Sequence, residues 1–182
     1  DAKTTVNNTG KKEPMSFIVN LILYGLPIFV IVWILSQYLM AKPAIEGKMA
    51  PAFKAGLVDG GTFDLSAHLG KRPVLLDFWA VWCPPCRKAL PKVAGMVNKY
   101  ADEDIAICTV NLSETAAEIQ AFLQENDMEV PVALDTDGAI ASRYEVRSIP
   151  MLVFIDQSGT IVEAHSGVMS EGELVKKIEA LL

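Results

Sequence analysis

Two kinds of hydrophobic pattern divide the chain. The run FIVNLILYGLPIFVIVWIL at 17–35 contains no charged side chain. A helix rises about 1.5 Å per residue, so this run nearly crosses a hydrocarbon core of about 30 Å. The pattern predicts one transmembrane anchor helix over 16–40, in contact with lipid through 17–35, after a polar tail over 1–15. A buried core helix and a cleaved signal peptide are the alternative interpretations.

From residue 51 onward, short apolar runs alternate with segments of helical periodicity. The run PVLLDFWA at 73–80 is apolar almost throughout, as expected of a strand buried on both faces. A helix over 84–100, with a kink at Pro91, is predicted to follow it. Strands alternating with helices indicate an α/β fold with a central mixed sheet flanked by helices. The further predicted elements are strands at 104–112, 130–135, 151–156 and 160–167, and helices from Ser113 to Glu125, at 138–146 and after Ser170.

Residues 41–50, AKPAIEGKMA, are predicted to link the anchor to a folded domain over 51–182. The chain carries 16 basic and 22 acidic residues, a net charge of −6. Because contacts to phosphates need a basic face, this balance argues against a nucleic-acid partner.

Two of the three cysteines, Cys83 and Cys86, are separated by two prolines at the start of the predicted helix. Unpaired N–H groups and the helix dipole stabilise a thiolate at a helix N-terminus. The thiolate is the attacking species in disulfide exchange, and prolines are well tolerated in the first helical turn. The pattern favours a working redox pair, with Cys83 as the exposed attacking thiol and Cys86 as the resolving thiol.

A metal site and a purely structural disulfide are the alternatives for this pair. A zinc site usually needs four ligands, and the remaining candidates, Cys108, His68 and His165, lie far apart in the sequence. A bridge that closes so small a loop constrains the unfolded chain little. No metal and no cofactor are therefore predicted. Cys108 falls in a predicted core strand. It is interpreted either as a small buried apolar side chain or as a third redox thiol.

The segment LLDFWAVWCPPCRKALP at 75–91 resembles the active-site segment of thioredoxin-like proteins. WCPPC followed by a basic residue is most similar to the membrane-anchored bacterial TlpA/ResA/CcmG (DsbE) group. IPMLVFID at 149–156 resembles the segment of these proteins that contains a cis-proline, and ALDTDGAIASRYEV at 133–146 resembles the stretch before it. The resemblance implies a thioredoxin-like fold and thiol–disulfide chemistry.

The resemblance also implies a substrate-binding surface around the cysteines. Pro150, in cis after Ile149, would face the two sulfurs and pair backbone groups with a client strand. Trp82 would flank the sulfur of the first cysteine. The residues expected on this surface are Trp82, Pro84, Pro85, Ile149 and Pro150.

Two further positions can be compared with the group: Asp77, which agrees with it, and Ala89, which does not. Asp77 matches the buried acid of thioredoxins, so we expect burial to raise its pKa and expect it to relay a proton to Cys86. Ala89 stands where many relatives carry an acidic residue, which removes support for any function that relies on that carboxylate.

The leading hypothesis is a membrane-tethered thiol–disulfide oxidoreductase in the bacterial inner membrane, with its catalytic domain on the periplasmic side. The Ile149–Pro150 pair resembles reducing thioredoxins, which favours a reductase of client disulfides in cytochrome c or copper-site maturation. A membrane protein of the DsbD/CcdA type would supply the electrons. The alternatives are a non-catalytic Cu(I)-binding assembly module and a peroxiredoxin-like peroxidase, although FWAVWC lacks the Pro and Thr of peroxiredoxins.

Overall fold

A computed structural model describes residues 21–39 and 45–182 of this chain. The chain divides into two compact units, Asp1–Ala41 and Lys42–Leu182. In the first unit, a π-helical turn at Leu21–Gly25 leads into helix α1, Leu26–Leu39. Within the described residues, no helix combines the length and the apolar character that a membrane crossing requires. The predicted polar tail and the beginning of the predicted anchor lie outside the described residues, so the anchor stays a prediction.

Five strands form a mixed sheet, in the order β5 (Val132–Asp135), β4 (Ala106–Leu112), β3 (Val74–Trp79), β6 (Met151–Ile155) and β7 (Ile161–Ser166). The three parallel strands are β3, β4 and β5. Strand β6 runs antiparallel to β3, and β7 runs antiparallel to β6. The predicted central mixed sheet is confirmed, and β3 lies in its middle.

All six residues of β3 are buried, and their side chains alternate between two cores. Leu76 and Phe78 belong to the core on one side of the sheet. On the other side, Leu75 packs with Val93 and Met96 of the following helix. A strand covered on both faces needs apolar residues at nearly every position, which accounts for the run that predicted it.

Four α-helices accompany the strands of the domain. Three of them begin close to their predicted positions, and two of the four start with a side-chain cap of Thr or Ser that pairs with a Glu three residues later. The helices are α2 (Pro84–Lys99), α3 (Ala116–Glu125), α4 (Ala139–Arg143) and α5 (Glu171–Glu179).

The start of α3 differs from the prediction. Thr115, not Ser113, is its N-cap, and the hydroxyl of Thr115 accepts a hydrogen bond from the Glu118 backbone N–H at 3.3 Å. Ser113 instead has a φ of +63°, in the left-handed region. This conformation turns the chain sharply between β4 and α3, a feature that Ser does not signal as Gly would.

A short hairpin that the sequence did not predict precedes β3. It consists of β1 (Lys54–Gly56) and β2 (Thr62–Asp64), which are antiparallel. Just after β1, the Val58 N–H donates to the Val132 carbonyl of β5 at 3.0 Å. The hairpin therefore leads the chain to the outer edge of β5.

Residues 45–50, predicted as part of a linker, belong to the folded domain. The Gly47 N–H donates to the Ile161 carbonyl at 2.8 Å, and the Ile161 N–H donates to the Lys48 carbonyl at 2.9 Å. Ile45 is buried in the core. The segment satisfies backbone groups on the outer edge of β7, a partnership between distant parts of the chain that local composition does not reveal.

Candidate active site

Strand β3 delivers the chain to the start of helix α2. The strand ends at Trp79, and Cys83 is the N-cap residue of α2. Pro84 and Pro85 take the first two helical positions, where a missing N–H costs little. The backbone N–H of Cys86 donates to Cys83 Sγ at 3.2 Å. The predicted position of the pair at a helix N-terminus is confirmed, so a thiolate at Cys83 faces the positive end of the helix dipole.

The two cysteines form a disulfide, with their Cα atoms 5.2 Å apart. In this oxidised form Cys83 is only 3% exposed, and Cys86 is 0% exposed. The prediction of an openly exposed first cysteine is therefore wrong for the disulfide state. The bond joins Cys83 to the fully buried Cys86, and Cys83 lines a pocket at the surface.

The loop before β6 passes close to the disulfide. The peptide bond between Ile149 and Pro150 is cis, as the resemblance predicted. The Ile149 carbonyl oxygen lies 3.7 Å from Cys83 Sγ. This is a contact without a hydrogen bond, because a disulfide sulfur carries no proton. The loop and the first cysteine therefore form one continuous surface.

A pocket of about 460 Å³ opens beside the first cysteine. Four of the five residues predicted to bind substrate line it together with Cys83. Trp82, among them, is 66% exposed, whereas Pro150, the fifth, is buried and is not part of the lining. The residues that line the pocket around Cys83 are Trp82, Pro84, Pro85, Leu112, Val146, Arg147, Ser148 and Ile149.

Asp77 lies in the middle of β3 and is 1% exposed. Leu75 and Trp79, two residues before and after Asp77, point to the same face of the sheet as Asp77. Helix α2 covers that face. Neither carboxylate oxygen has a hydrogen-bond partner among the described residues. Burial raises the pKa of Asp77 to about 7, as predicted. A carboxyl group with this pKa can take up or release a proton near neutral pH, and its role as a proton relay stays a prediction.

The sequence did not reveal a polar network that holds the loop before Cys83. The Glu114 carboxylate accepts hydrogen bonds from the Val81 N–H at 2.8 Å, the Trp82 N–H at 3.3 Å and Asn111 Nδ2 at 2.7 Å. Glu114 follows β4, and the carboxyl ends of parallel β3 and β4 lie at the same edge of the sheet. That adjacency was the available signal: an acidic residue just after the strand beside β3.

The charges around the pair differ from those of many relatives. Ala89 is buried on the inner side of α2, in place of the acidic residue that those relatives carry. Arg87 and Lys88 are exposed on the first turns of the same helix. Negative charge at this site therefore comes from Glu114 rather than from α2.

No set of three or more His, Cys, Asp or Glu side chains is arranged to hold a metal ion in the part of the chain that the structure describes. His68 instead stacks on the ring of Phe63, with 5.2 Å between ring centroids.

Comparison with known proteins assigns the domain to a family. The sequence profile of the AhpC/TSA family matches residues 46–164, more than half of the chain. The chain belongs to the AhpC/TSA family. Within this AhpC/TSA protein, the match extends from the segment that pairs with β7 to the middle of β7 itself, and so includes both cysteines and the cis-proline.

Individual relatives narrow the assignment. The chain is 34% identical to the thioredoxin-like protein YneN of Bacillus subtilis over 74% of this chain and 79% of YneN. It is 32% identical to the thiol-disulfide oxidoreductase ResA of Bacillus subtilis over 69% of this chain and 70% of ResA. The exposed lipoprotein thioredoxin Etrx1 of Streptococcus pneumoniae superposes with a TM-score of 0.64 at 32% identity, covering 72% of this chain and all of Etrx1.

These relatives and the cysteine geometry agree. The chain is a member of the TlpA/ResA/CcmG group with a thioredoxin-like α/β fold. It is a thiol–disulfide oxidoreductase.

Proposed function

We propose that this AhpC/TSA protein is a membrane-tethered reductase of disulfides in extracytoplasmic client proteins. The observation that carries the proposal is the Cys83–Cys86 disulfide at the start of α2, with the cis-proline loop in contact with Cys83. This arrangement supplies a nucleophile at a helix N-terminus, a second thiol close enough to displace the client, and a pocket for the client segment.

The reaction balances as two successive thiol–disulfide exchanges. In the reduced protein, the Cys83 thiolate attacks one sulfur of a client disulfide, and the other client sulfur leaves as a thiolate that takes a proton. Cys86 then loses its proton, for which Asp77, on the sheet face that α2 covers, is the proposed acceptor, and attacks the Cys83 sulfur. The second client thiolate leaves. The client gains two electrons, and the protein is left with the disulfide seen here.

One charge at the site, the Glu114 carboxylate, favours the reducing direction against the effect of the helix dipole. The helix dipole stabilises a Cys83 thiolate by about 0.3–1 kcal/mol. The Glu114 carboxylate, bound to the N–H of the residue just before Cys83, opposes it. A dithiol whose thiolate is less stabilised has a more negative reduction potential and is the stronger reductant. The Ile149–Pro150 sequence, which resembles reducing thioredoxins, agrees.

The tether is proposed from the N-terminal unit. Every large apolar side chain described between residues 22 and 35 is exposed. Exposed apolar surface on this scale is stable in a lipid bilayer and unfavourable in water. We therefore place 17–35 in the bacterial inner membrane and the domain on the periplasmic side. A donor of the DsbD/CcdA type would reduce the protein, and the clients would belong to cytochrome c or copper-site maturation.

The client assignment is tested by trapping. A full-length Cys86→Ser variant, expressed in the native host, should accumulate mixed disulfides because the resolving thiol is gone. Mass spectrometry of the trapped species identifies the clients. The matched Cys83→Ser variant should trap none of them. Equal trapping by both variants would overturn the roles of the two cysteines, and a set without cytochrome c or copper proteins would overturn the client class.

The direction and the tether need separate measurements. Equilibration with glutathione or dithiothreitol should give a reduction potential in the range of reducing thioredoxins, and a value near that of DsbA would reverse the direction. The full chain should remain in the membrane fraction at alkaline pH, and a variant without 17–35 should not. Release of the wild-type domain as a shorter soluble form would support the signal-peptide alternative instead.

A further inference from the structure

The pocket that contains Cys83 is lined mainly by apolar side chains. Among its lining residues, Arg147 is the charged one. It precedes Ile149 by two residues, and the Ile149 carbonyl touches Cys83 Sγ. A client segment whose cysteine sits on Cys83 therefore has neighbouring side chains in the same pocket as the Arg147 guanidinium.

The guanidinium of Arg147 is not engaged elsewhere in the described structure, where it makes no hydrogen bond or ion pair. Its charged neighbours in the chain are already occupied. Arg143 donates to the Ala52 carbonyl at 2.8 Å, and Glu145 lies 3.8 Å from Lys48 Nζ. Arg147 is exposed, so its charge is available to a client rather than to the fold.

The two sides of Trp82 differ in charge. On the side away from Arg147, Trp82 lines a second pocket, of about 700 Å³, which contains three glutamates, Glu114, Glu118 and Glu125, and one arginine, Arg87. An acidic client side chain is repelled on that side and attracted on the Arg147 side. The protein as a whole is also acidic, with a net charge of −6, so the Arg147 pocket is a local reversal of the overall field.

We propose that Arg147 selects client segments that carry an acidic side chain within a few residues of the target cysteine. The inference rests on the proposed function, because it concerns the clients of the same redox pair. The acidic group would pair with the Arg147 guanidinium while the client sulfur reacts with Cys83. Arg147 is a specificity residue and takes no part in the exchange itself.

Synthetic peptides test the preference directly. Three peptides share one disulfide loop and differ only in the residue beside the target cysteine, which is Asp, Asn or Lys. Single-turnover reduction by the reduced full-length protein gives a rate constant for each. We expect the Asp peptide to react about three- to fivefold faster than the Asn peptide, the effect of a partly exposed ion pair, and the Lys peptide to react more slowly. Raising the ionic strength from about 0.01 M to about 1 M should remove the difference.

Three variants decide whether Arg147 is the cause. Arg147→Gln should abolish the preference, and Arg147→Lys should retain it. Lys54→Gln makes the same change in net charge on the exposed face of β1 and should leave the preference intact. An equal loss of rate for all three peptides in Arg147→Gln would mean that Arg147 only shapes the loop, and would overturn the inference. Failure of the wild-type protein to reduce even the Asn peptide would instead overturn the proposed function.

Discussion

The two cysteine environments of this domain differ in almost every property that controls reactivity. Cys83 lies where β3 gives way to α2, beside a pocket, and its sulfur accepts a backbone N–H. Cys108 lies inside β4, opposite Leu76, and is 0% exposed. Burial raises the pKa of Cys108 to about 12, and its thiol donates only a weak hydrogen bond, to the Thr109 carbonyl.

The difference shows that position within an element, rather than the cysteine itself, sets thiol chemistry in this fold. A helix start offers unpaired N–H groups to a thiolate, whereas the interior of a strand has already paired its own with neighbouring strands. Of the two predictions for Cys108, the one of a small buried apolar side chain agrees with its position in the hydrophobic core.

The largest contrast should appear in alkylation of the reduced protein by iodoacetamide at pH 7. A thiol with a pKa of about 12 is ionised in about one molecule in 10⁵ at this pH, and Cys108 is also inaccessible. We expect Cys83 to be modified first and Cys108 to remain unmodified, as shown by mass spectrometry of peptides. Adding denaturant should make Cys108 react. Modification of Cys108 in the native protein at a rate comparable to Cys83 would remove the distinction.

Substitution should separate the two sites in activity. Cys83→Ser removes the nucleophile and should lower the rate of insulin reduction about a thousandfold or more, to the background. Cys108→Ala should leave that rate close to wild type, because the side chain lies in the core on the other side of the sheet from α2. Its loss should lower the free energy of unfolding by about 1 kcal/mol. A large fall in activity of Cys108→Ala, at unchanged stability, would support the third-thiol alternative.

The pH dependence of stability at Asp77 measures how strongly the protein interior around this carboxyl group excludes water. Its pKa is about 7 in the folded protein and 3.8 in the reference state, a difference that corresponds to about 4 kcal/mol. The raised pKa means that the folded state holds the proton more tightly, so the stability is complete below about pH 4 and is lost as the pH rises through about 7. The free energy of unfolding of Asp77→Asn, measured with denaturant, should therefore rise relative to that of the oxidised wild type by up to about 4 kcal/mol between these two pH values.

The control for this measurement is Asp156, a half-buried acid whose pKa is shifted in the opposite direction. The Ser158 hydroxyl donates to the Asp156 carboxylate and holds its pKa below the usual value. A depressed pKa contributes stability that is present at higher pH and lost in acid. The free energy of unfolding of Asp156→Asn should therefore fall below that of the wild type only above the acid range. Parallel pH profiles for the wild type and Asp77→Asn would show that Asp77 is not desolvated.

The smallest expected effect concerns the loop before the redox pair. Glu114→Ala leaves three donors without their acceptor, so we expect it to lower the free energy of unfolding by about 1–3 kcal/mol and to make the reduction potential less negative. Glu125→Ala, in the same acidic pocket but exposed, should change stability by less than about 0.5 kcal/mol. Equal effects of the two substitutions would indicate that the network does not hold the loop.

Most of the sheet and the core of the site could be predicted because their signals are local. The apolar run of β3, the prolines after Cys83 and the helical spacing of α2 each lie within a few residues of the feature they specify. The cis bond before Pro150 followed from resemblance, since nothing in an X-Pro sequence distinguishes the rarer isomer.

The features that were missed depend on partners far away in the sequence. Glu114 is an ordinary acidic residue until β4 pairs with β3 and brings it to the loop at Val81. The hairpin of β1 and β2 has strands of three residues, too short for a recognisable alternation. The burial of Cys83 depends on the loop and core residues packed around it, which are distant in the sequence.

The pairing of the segment before β1 with β7, and of Val58 with β5, has a consequence for how the protein meets other chains. Both outer strands already have backbone partners, at Gly47 and Lys48 on one border and at Val58 on the other. Exposed edge strands with unpaired backbone groups are a common site at which sheet proteins pair into dimers or fibrils. Here those hydrogen bonds occupy part of each outer edge, which leaves less of it open to a strand from another chain.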